Sequence, residues 1–260
     1  LRTVFADNAD DWSLGTPSAP ARLGADCAEA VRLATTRDGL LRLSATAMGE
    51  YASCSFRRIL QRHLRIEVVP AGLSFIDALL IGKIYHDAFR RVLRPLVAEH
   101  AIVQAGAAGE ATRPEQPQAM AAIRAAMDAI AATDGPMAAV LVATAGPSLS
   151  RHFCNAVASL RLAIDGWIPL LVDDTDLAVA MPEQEVQLIG RPDLVCVSAL
   201  DNGKATIVDY KKSSVPQRAD LKPDAQGNVA AMQIPVYQRL VEASGLVPES
   251  AWYLSIETAQ

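Results

Sequence analysis

The chain has 260 residues, 51% of them hydrophobic and 20% charged, so it can bury a sizeable core and is not disordered as a whole. Its formal net charge of −5 excludes a free-standing basic protein that coats nucleic acid. Contact with DNA therefore requires a local patch of positive charge or a partner that delivers the DNA. Aromatic residues are few, and alanine, leucine and valine predominate, which is typical of a helix-rich α/β protein.

Cysteine usage and the N-terminus bear on the cellular compartment. The four cysteines have no CxxC spacing, so they form neither a zinc signature nor a disulfide framework, and they indicate a reducing compartment. The first residues lack the basic start and apolar run of a signal peptide, and no apolar stretch is long enough to span a bilayer. We expect a cytoplasmic protein without membrane contacts. Because the chain starts at Leu1 rather than Met, we also expect it to be part of a longer protein.

The N-terminal part of the chain is predicted to be mainly helical. Residues 1–40 are loop-rich and allow no firm assignment. The segment 41–64 reads as a short strand and then a helix, and residues 75–100 read as a strong helix. The second helix has one apolar stripe, formed by Ile84, Ala88, Val92 and Leu96, with Arg90, Arg91 and Arg94 elsewhere on its surface.

A linker rich in small residues and proline follows at 104–118, and two further helices are predicted near 118–133 and 148–167. From Pro182 the pattern changes to strands. "EVQLIG" alternates between apolar and polar residues, "DLVCVSAL" is mostly apolar and "ATIVDY" is β-branched. A helix is predicted to end at Gly245, and a last strand, "SAWYLSIE", follows it.

The turn "DNGK" predicts that the strands on either side of it form a hairpin, because Asn-Gly is a strong two-residue hairpin signal. Pairing about residues 202–203 places Asp193 near position 212, and hence close to Asp209. Two carboxylates that meet in this way repel each other unless a cation lies between them, and oxygen ligands favour Mg²⁺ or Mn²⁺. Lys211 lies on the same strand face as Asp209 and can stabilise charge on an attacked phosphate. The pattern predicts metal-assisted phosphodiester hydrolysis.

These segments resemble a known family. "GRPDLV", "IVDYKK" and "QIPVY" match the D–DxK–QxxxY pattern of the PD-(D/E)xK nuclease superfamily, in particular its RecB-like (RecB/AddB-type) nuclease domains. Upstream, "LSATAMGEYASCSFRR" is similar to the family's first helix and "GKIYHDAF" to its GxxxHxxl helix. The likeness covers roughly residues 41–257. It implies an α/β fold, in which helices flank a small mixed central β-sheet with a restriction-endonuclease-like core and a helical N-terminal elaboration.

The resemblance also implies a role for each matching residue. A metal would be held by His86, Asp193, Asp209 and the backbone carbonyl of Tyr210. The residues with catalytic roles would be Asp193, Asp209, Lys211, Gln233 and Tyr237. Gln233 and Tyr237 lie one helical turn apart, so they would face the site together, where they could contact the DNA backbone or hold the lysine.

The sequence departs from the family pattern in two places. Iron–sulfur members of the family use four cysteines, the first of which is usually followed by proline. Here Cys54 occupies that first position, but Ser55 replaces the proline and no cysteine follows Cys196. We therefore expect no iron–sulfur cluster in this chain, unless one is completed beyond Gln260. The second departure is Lys212, which stands where threonine is more common.

Each assignment has a plainer alternative. Asp193 could be a turn residue after Pro192, and Asp209 and Lys211 a surface ion pair. His86, Gln233 and Tyr237 could be ordinary packed or polar helix residues. The arginines of the first two helices suit a solvated face as well as a rim that tracks phosphates.

The interpretation that accommodates most of these features is an Mg²⁺- or Mn²⁺-dependent deoxyribonuclease whose partners are DNA and a helicase domain or subunit. Residues 1–40 would be an extension, and residues 41–260 the nuclease domain, with a helical insertion at about 100–180. The rival interpretation is a catalytically inactive nuclease fold that serves DNA binding or complex assembly.

Overall fold

The computed structural model describes residues 36–37, 39–48, 73–104, 115–173, 175–216 and 231–259. The α-helices of these segments are α1 (Leu73–Gln104), α2 (Gln116–Thr133), α3 (Pro136–Ala163) and α4 (Gln233–Ala243). The strands are β1 (Thr36–Arg37), β2 (Leu40–Ser44), β3 (Trp167–Val172), β4 (Leu177–Met181), β5 (Val186–Gly190), β6 (Leu194–Ser198), β7 (Lys204–Lys211) and β8 (Val247–Ser255).

The strands form two mixed sheets. One has the order β1-β2-β5-β4, in which β2 and β5 are parallel and the other pairs are antiparallel. The second sheet has the order β3-β6-β7-β8, in which β7 and β8 are parallel and the other pairs are antiparallel. The two central strands of this second sheet, β6 and β7, are almost entirely buried.

One face of the second sheet is covered by the long helices. α1 packs against α2 and β3, and α2 packs against α3. The predicted apolar stripe of α1 faces this core: Ile84, Ala88, Val92 and Leu96 are all buried. The three arginines lie off this stripe, half-buried or exposed, as the periodicity predicts. These helices form because their apolar residues recur every three or four positions and can all be buried on one side.

The other face of the same sheet packs against α4. Val195 and Ile207 point from the central strands into a second core, where they meet Ile234, Leu240 and Val241 of this helix. Alternate residues along β6 and β7 therefore enter different cores, as the two-residue period of a strand requires. The predicted end of this helix is confirmed, since Gly245 has the positive φ of a C-terminal cap.

The predicted hairpin is confirmed, but its predicted register is wrong. Leu194 lies opposite Val208, and continuing this register by one residue places Asp193 opposite Asp209 rather than near position 212. The connection is longer than a two-residue turn, and neither Asn202 nor Gly203 has the positive φ that such a turn needs. Instead, Asp201 accepts hydrogen bonds at Oδ1 from the Gly203 N–H (3.1 Å) and at its carbonyl from the Lys204 N–H (3.0 Å).

The segment from about 100 to 180, predicted to be a helical insertion, also contains β3 and β4. The helix predicted at 148–167 is α3, which begins at Pro136 and accommodates Pro147 in its interior. Pro136 occupies the first helical turn, where a missing N–H costs nothing. The strand β3 follows directly, because Gly166 takes a positive φ and turns the chain. The helix predicted in the second part of segment 41–64 lies outside the described residues, apart from one helical turn at 45–48.

None of the described helices combines the length and the apolar character that crossing a bilayer requires. Both long apolar helices, α1 and α3, instead bury one side in the core that they share.

Gly190, the last residue of β5, lies directly against α4. A Cβ on Gly190 would come 2.8 Å from Leu240 Cδ1 and 3.1 Å from Tyr237 Cε1. Contacts this short require neighbouring side chains to move, and overpacking of this kind costs about 1–3 kcal/mol. We expect Gly190→Ala to lower the free energy of unfolding by about that amount, as measured by urea unfolding followed by circular dichroism.

Gly82, in the interior of α1, provides the matched control. Among the described residues, no atom lies within 4 Å of the position that its Cβ would take. Alanine is the better helix former, so we expect Gly82→Ala to raise the free energy of unfolding by up to about 1 kcal/mol. If the two variants unfolded at the same urea concentration, the close packing of α4 on β5 would not be what requires glycine at position 190.

Candidate active site

Three carboxylates form a row across one end of the second sheet. Val172 of β3 lies opposite Leu194 of β6, which lies opposite Val208 of β7, so the next residues along this end are Asp173, Asp193 and Asp209. The Asp173 N–H donates to the Asp193 carbonyl over 3.0 Å, which ties the first two positions together. Asp193 and Asp209 are buried, with 6% and 0% of their surface exposed. The end of the sheet is therefore a concentrated, largely desolvated site of negative charge.

Asp173 is a residue that the sequence analysis missed, and a β-bulge places it in the row. In β3, Pro169 lies opposite Cys196 and Leu171 lies opposite Val195, so Leu170 is an extra residue. The bulge moves the end of β3 forward by one position, and without it Asp173 would lie beside Pro192. Bulges are common beside active sites because they redirect side chains in this way. The available sequence signal was the apolar run Trp167–Val172 followed at once by an aspartate.

His86 reaches the same end of the sheet from α1. Its Nδ1 lies 3.2 Å from Asp173 Oδ2 and 3.6 Å from Asp193 Oδ1. The ring also makes an edge contact with Tyr210, with 6.0 Å between centroids. His86 sits beside the buried apolar stripe of its helix, so the packing of α1 on β3 determines where the imidazole lies. Of the residues predicted to hold a metal, His86 and Asp193 are thus brought into direct proximity.

Lys211 lies at the end of β7 on the same face as Asp209. Its Nζ is 2.5 Å from Asp209 Oδ2 and donates a 2.5 Å hydrogen bond to Gln233 Oε1, at the start of α4. The ammonium also lies 5.6 Å from the centroid of the Tyr253 ring. This hydrogen bond is compatible with the predicted role of Gln233 in holding the lysine, and its alternative contact with the DNA backbone stays a prediction. Lys212, by contrast, points to Glu257, with 3.8 Å between Nζ and Oε1.

Tyr210 and Tyr237 support the site from opposite faces of the sheet. The Tyr210 side chain is buried on the α1 face and stacks on Phe89, with 4.0 Å between centroids. Its backbone N–H donates a 2.6 Å hydrogen bond to Asp193 Oδ2, which fixes that carboxylate. Tyr237 is buried on the α4 face and interacts with the side chain of Gln233. The metal contact through the Tyr210 carbonyl stays a prediction.

Burial raises the pKa of the two central carboxyl groups. Desolvation is the main cause at Asp193; the nearby His86 opposes it and the charge of Asp209 adds to it, and the pKa rises to about 7. Desolvation also raises the pKa of Asp209, against the opposing effect of Lys211. For His86, burial alone would lower the pKa, but the hydrogen bond to Asp173 and the surrounding carboxylates raise it above the ordinary value. All three groups therefore hold protons more tightly than they do in water.

The donor set fits a divalent cation. One ligand atom from each of His86, Asp173 and Asp193 lies within 4.8 Å of the others. Asp209, predicted as a ligand, is next in the row but is turned towards Lys211. Its Oδ1 is buried and has no hydrogen-bond partner among the described residues. A cation would neutralise the charge of this row. The imidazole nitrogen and carboxylate oxygens of the site are donors of the kind that bind Mg²⁺, Mn²⁺ or Zn²⁺.

The two cysteines in the described part of the chain are not part of this group. Cys154 and Cys196 are free, buried thiols in the core beneath α1, and burial raises the pKa of both, which disfavours the thiolate that binds metals. Cys27 and Cys54 lie outside the described residues.

The family assignment agrees with this geometry. The model of the PD-(D/E)XK nuclease superfamily matches residues 42–260, most of the chain. The chain belongs to the PD-(D/E)XK nuclease superfamily. Its mixed sheets flanked by helices are consistent with the restriction-endonuclease-like α/β fold. No curated protein matches the chain.

In this member of the PD-(D/E)XK superfamily, the sequence predicts Asp193 at the first acidic position of the family pattern and Asp209 and Lys211 as its DxK pair, and these roles stay predictions. The structure places these three residues around one point at the end of β6 and β7. His86 and Asp173 extend the group beyond that pattern. Members of the superfamily are generally nucleases, and the geometry is compatible with such chemistry.

We expect the buried acid to make the metal-free protein less stable as pH rises. A raised pKa in the folded state means that Asp193 stays protonated when the unfolded chain has already released its proton. The raised pKa therefore does not change the free energy of unfolding below about pH 4, and it lowers that free energy by its full amount above about pH 7. Asp193→Asn removes the titration and keeps the acceptor for the Tyr210 N–H. In EDTA, the melting temperature of the variant should rise relative to that of the wild type between about pH 4 and about pH 8, a range that contains this window.

The exposed Asp128 of α2 provides the control for this measurement. Asp128→Asn makes the same substitution at an exposed position of α2 and so controls for the substitution itself. A constant difference between Asp193→Asn and the wild type across the same range would mean that Asp193 titrates normally in the folded protein.

Proposed function

We propose that this protein is an Mg²⁺- or Mn²⁺-dependent nuclease that hydrolyses phosphodiester bonds of DNA. The observation that carries the proposal is the row of Asp173, Asp193 and Asp209 at one end of a sheet, with His86 and Lys211 beside it. Structural ion pairs do not require three carboxylates in one row. A phosphate held by a cation does benefit from them, because the acids bind the cation and Lys211 is left to act on the substrate.

The residues that would hold the cation are His86, Asp173 and Asp193, with Asp209 next to them in the row. A bound Mg²⁺ or Mn²⁺ would supply Lewis-acid polarisation of the phosphate and a lowered pKa for water at neutral pH. The role of the chain is to keep the acids in place. The Tyr210 N–H donates a hydrogen bond to one Asp193 carboxylate oxygen. The hydrogen bond between the Asp173 N–H and the Asp193 carbonyl keeps these two residues side by side.

Lys211 is the residue we assign to charge stabilisation. It is the positive group beside Asp209, and Gln233 fixes its direction from α4. Preorganised donors of this kind act most strongly where negative charge builds up in the transition state, here on the attacked phosphate. Gln233 and Tyr237 then act through Lys211: Gln233 accepts a hydrogen bond from its ammonium, and Tyr237 packs behind Gln233.

The motif order supports a finer assignment. "GRPDLV", "IVDYKK" and "QIPVY" occur in the order and spacing of RecB-like domains, and "GKIYHDAF" places His86 ahead of them. We infer that residues 41–260 form one RecB-like nuclease domain, preceded by an extension at 1–40. Domains of this type act beside a helicase in DNA recombination and repair, so we propose a helicase domain or subunit as partner and a cytoplasmic location.

The decisive experiment compares two neighbouring lysines. We expect Lys211→Ala to reduce DNA cleavage by about a hundred- to a thousandfold while leaving folding and DNA binding nearly intact. Lys212→Ala, whose side chain pairs with Glu257, should cost far less activity. Cleavage of single- and double-stranded DNA with Mg²⁺, with Mn²⁺ and with EDTA provides the measurement, and circular dichroism checks the fold.

The outcomes separate the proposal from its rival. If the wild type does not cut DNA in any of these metals, the protein is an inactive nuclease fold that serves binding or assembly. If the wild type and Lys211→Ala cut equally well, the site is assigned to the wrong residues.

A metal titration tests the role of Asp173. We expect Asp173→Asn to weaken Mn²⁺ binding by about ten- to a hundredfold, because it removes either a ligand or the carboxylate that orients His86. Isothermal titration calorimetry gives the affinity directly. Asp209→Asn should also weaken binding, and raising Mn²⁺ should partly restore its cleavage, whereas it should not restore Lys211→Ala. Unchanged Mn²⁺ affinity in Asp173→Asn, as expected for the control Asp128→Asn, would remove Asp173 from the site.

A further inference from the structure

An exposed ion pair joins the two chain segments next to the acidic row. Arg191 Nε donates a 2.9 Å hydrogen bond to Asp176 Oδ1, and the two side chains are 48% and 79% exposed. Pairs this exposed contribute about 0–1 kcal/mol to stability, since water and salt screen both charges. The fold therefore gains little from the pair, and its position suggests another use.

The pair connects the two chain segments that carry the acidic row. Arg191 lies two residues before Asp193, and Asp176 lies three residues after Asp173. The two strands beside this pair are also hydrogen-bonded to each other. Leu177, which follows Asp176, lies opposite Gly190, which precedes Arg191. Two residues of chain span at most about 7 Å, so the Arg191 backbone lies close to the row, and its long side chain can reach a phosphate next to one held there.

The charge around the row makes a positive group at this place useful to a substrate. Asp173, Asp176 and Asp193 would all repel an incoming DNA strand. Arg191 counters this on the β5 side. Its hydrogen bond and charge lower the pKa of Asp176, and Arg42 of β2 is near enough to contribute to the same shift. A guanidinium forms two parallel hydrogen bonds with either a carboxylate or a phosphate. The exposed Asp176 carboxylate and a DNA phosphate are thus alternative partners for the same donors.

We propose that Arg191 binds a backbone phosphate of the DNA strand next to the scissile one, and that Asp176 occupies Arg191 until the DNA displaces it. This inference rests on the proposed nuclease function. It assigns opposite effects to the two members of one ion pair. Loss of the arginine weakens DNA binding, whereas loss of the aspartate strengthens it, because the phosphate no longer competes with a carboxylate. A pair that served only stability would have no such asymmetry.

The test measures DNA binding without cleavage. Fluorescence anisotropy of a short labelled oligonucleotide, single-stranded and as duplex, is followed in EDTA at several KCl concentrations. Arg191→Ala should weaken binding and reduce the slope of log K against log salt by about 0.7 for the single strand or about 0.9 for the duplex. Arg191→Lys keeps the charge, so it should keep the slope but bind less tightly than arginine. Asp176→Asn should tighten binding by about two- to fivefold.

The double variant distinguishes competition from simple repulsion. In the Arg191→Ala background, Asp176→Asn should tighten binding far less than it does in the wild type, because no guanidinium is left to release and only the loss of repulsion remains. If Asp176→Asn tightens binding equally in both backgrounds, Asp176 merely repels the DNA and the competition is disproved. An unchanged salt slope in Arg191→Ala would likewise overturn the proposal.

A second exposed pair, Arg239 and Glu242 on α4, provides the matched control. Its members lie 3.2 Å apart and are 57% and 47% exposed. Arg239→Ala and Glu242→Gln should leave both the dissociation constant and the salt slope unchanged. If the wild type cleaves DNA but Arg191→Ala binds like these controls, only the present inference fails. If the wild type neither binds nor cuts DNA, the proposed function fails with it.

Discussion

The mutual repulsion of carboxylates held side by side in a desolvated place is the constraint on which this site depends. In water, three such groups would turn apart, but here they are fixed at the ends of three adjacent strands. The charge can be relieved by protons, by His86 and Lys211 at its two flanks, or by a cation. Burial, and to a lesser degree the charge of Asp209, raises the pKa of Asp193, which favours the first of these when no cation is present. A site of this kind favours the binding of a divalent ion, because its carboxylates are already fixed close together.

The two cores explain why the carboxylates cannot move away from one another. On one face of the sheet, Tyr210 stacks on Phe89 beneath α1. On the other, Ile207 packs against α4. Because each strand is held from both sides, its end positions are fixed to within the tolerance of a packed interior. The same two layers bring in the flanking groups, since α1 supplies His86 and α4 supplies Gln233. The helices that pack against the sheet are therefore the same helices that supply the flanking residues of the site.

Exposure increases outward from the centre of the site. Asp209 is fully buried, whereas the side chains of Lys211 and His86 are 24% and 37% exposed. A ligand that approaches from solvent thus meets the lysine and the histidine before it meets the central acid. The outermost layer contains the exposed pair of Arg191 and Asp176, to which we assign DNA binding. In that proposal, DNA affinity depends on the exposed layer, and the buried layers hold the row in place.

The sequence by itself determined the elements and chemistry that depend on local pattern. Strand alternation placed Asp209 and Lys211 on one face, the 3.6-residue period identified the buried stripe of α1, and the hairpin brought Asp193 to Asp209. Only the tertiary structure decided the register, because the turn forms through Asp201 and not through an Asn-Gly turn. Only the tertiary structure revealed Asp173 as part of the site. Asp173 contacts His86, which is 87 residues away in the sequence, and its position in the row depends on the extra residue in β3. Local periodicity reflects forces within a few residues, whereas bulges and distant contacts are settled only when the layers pack.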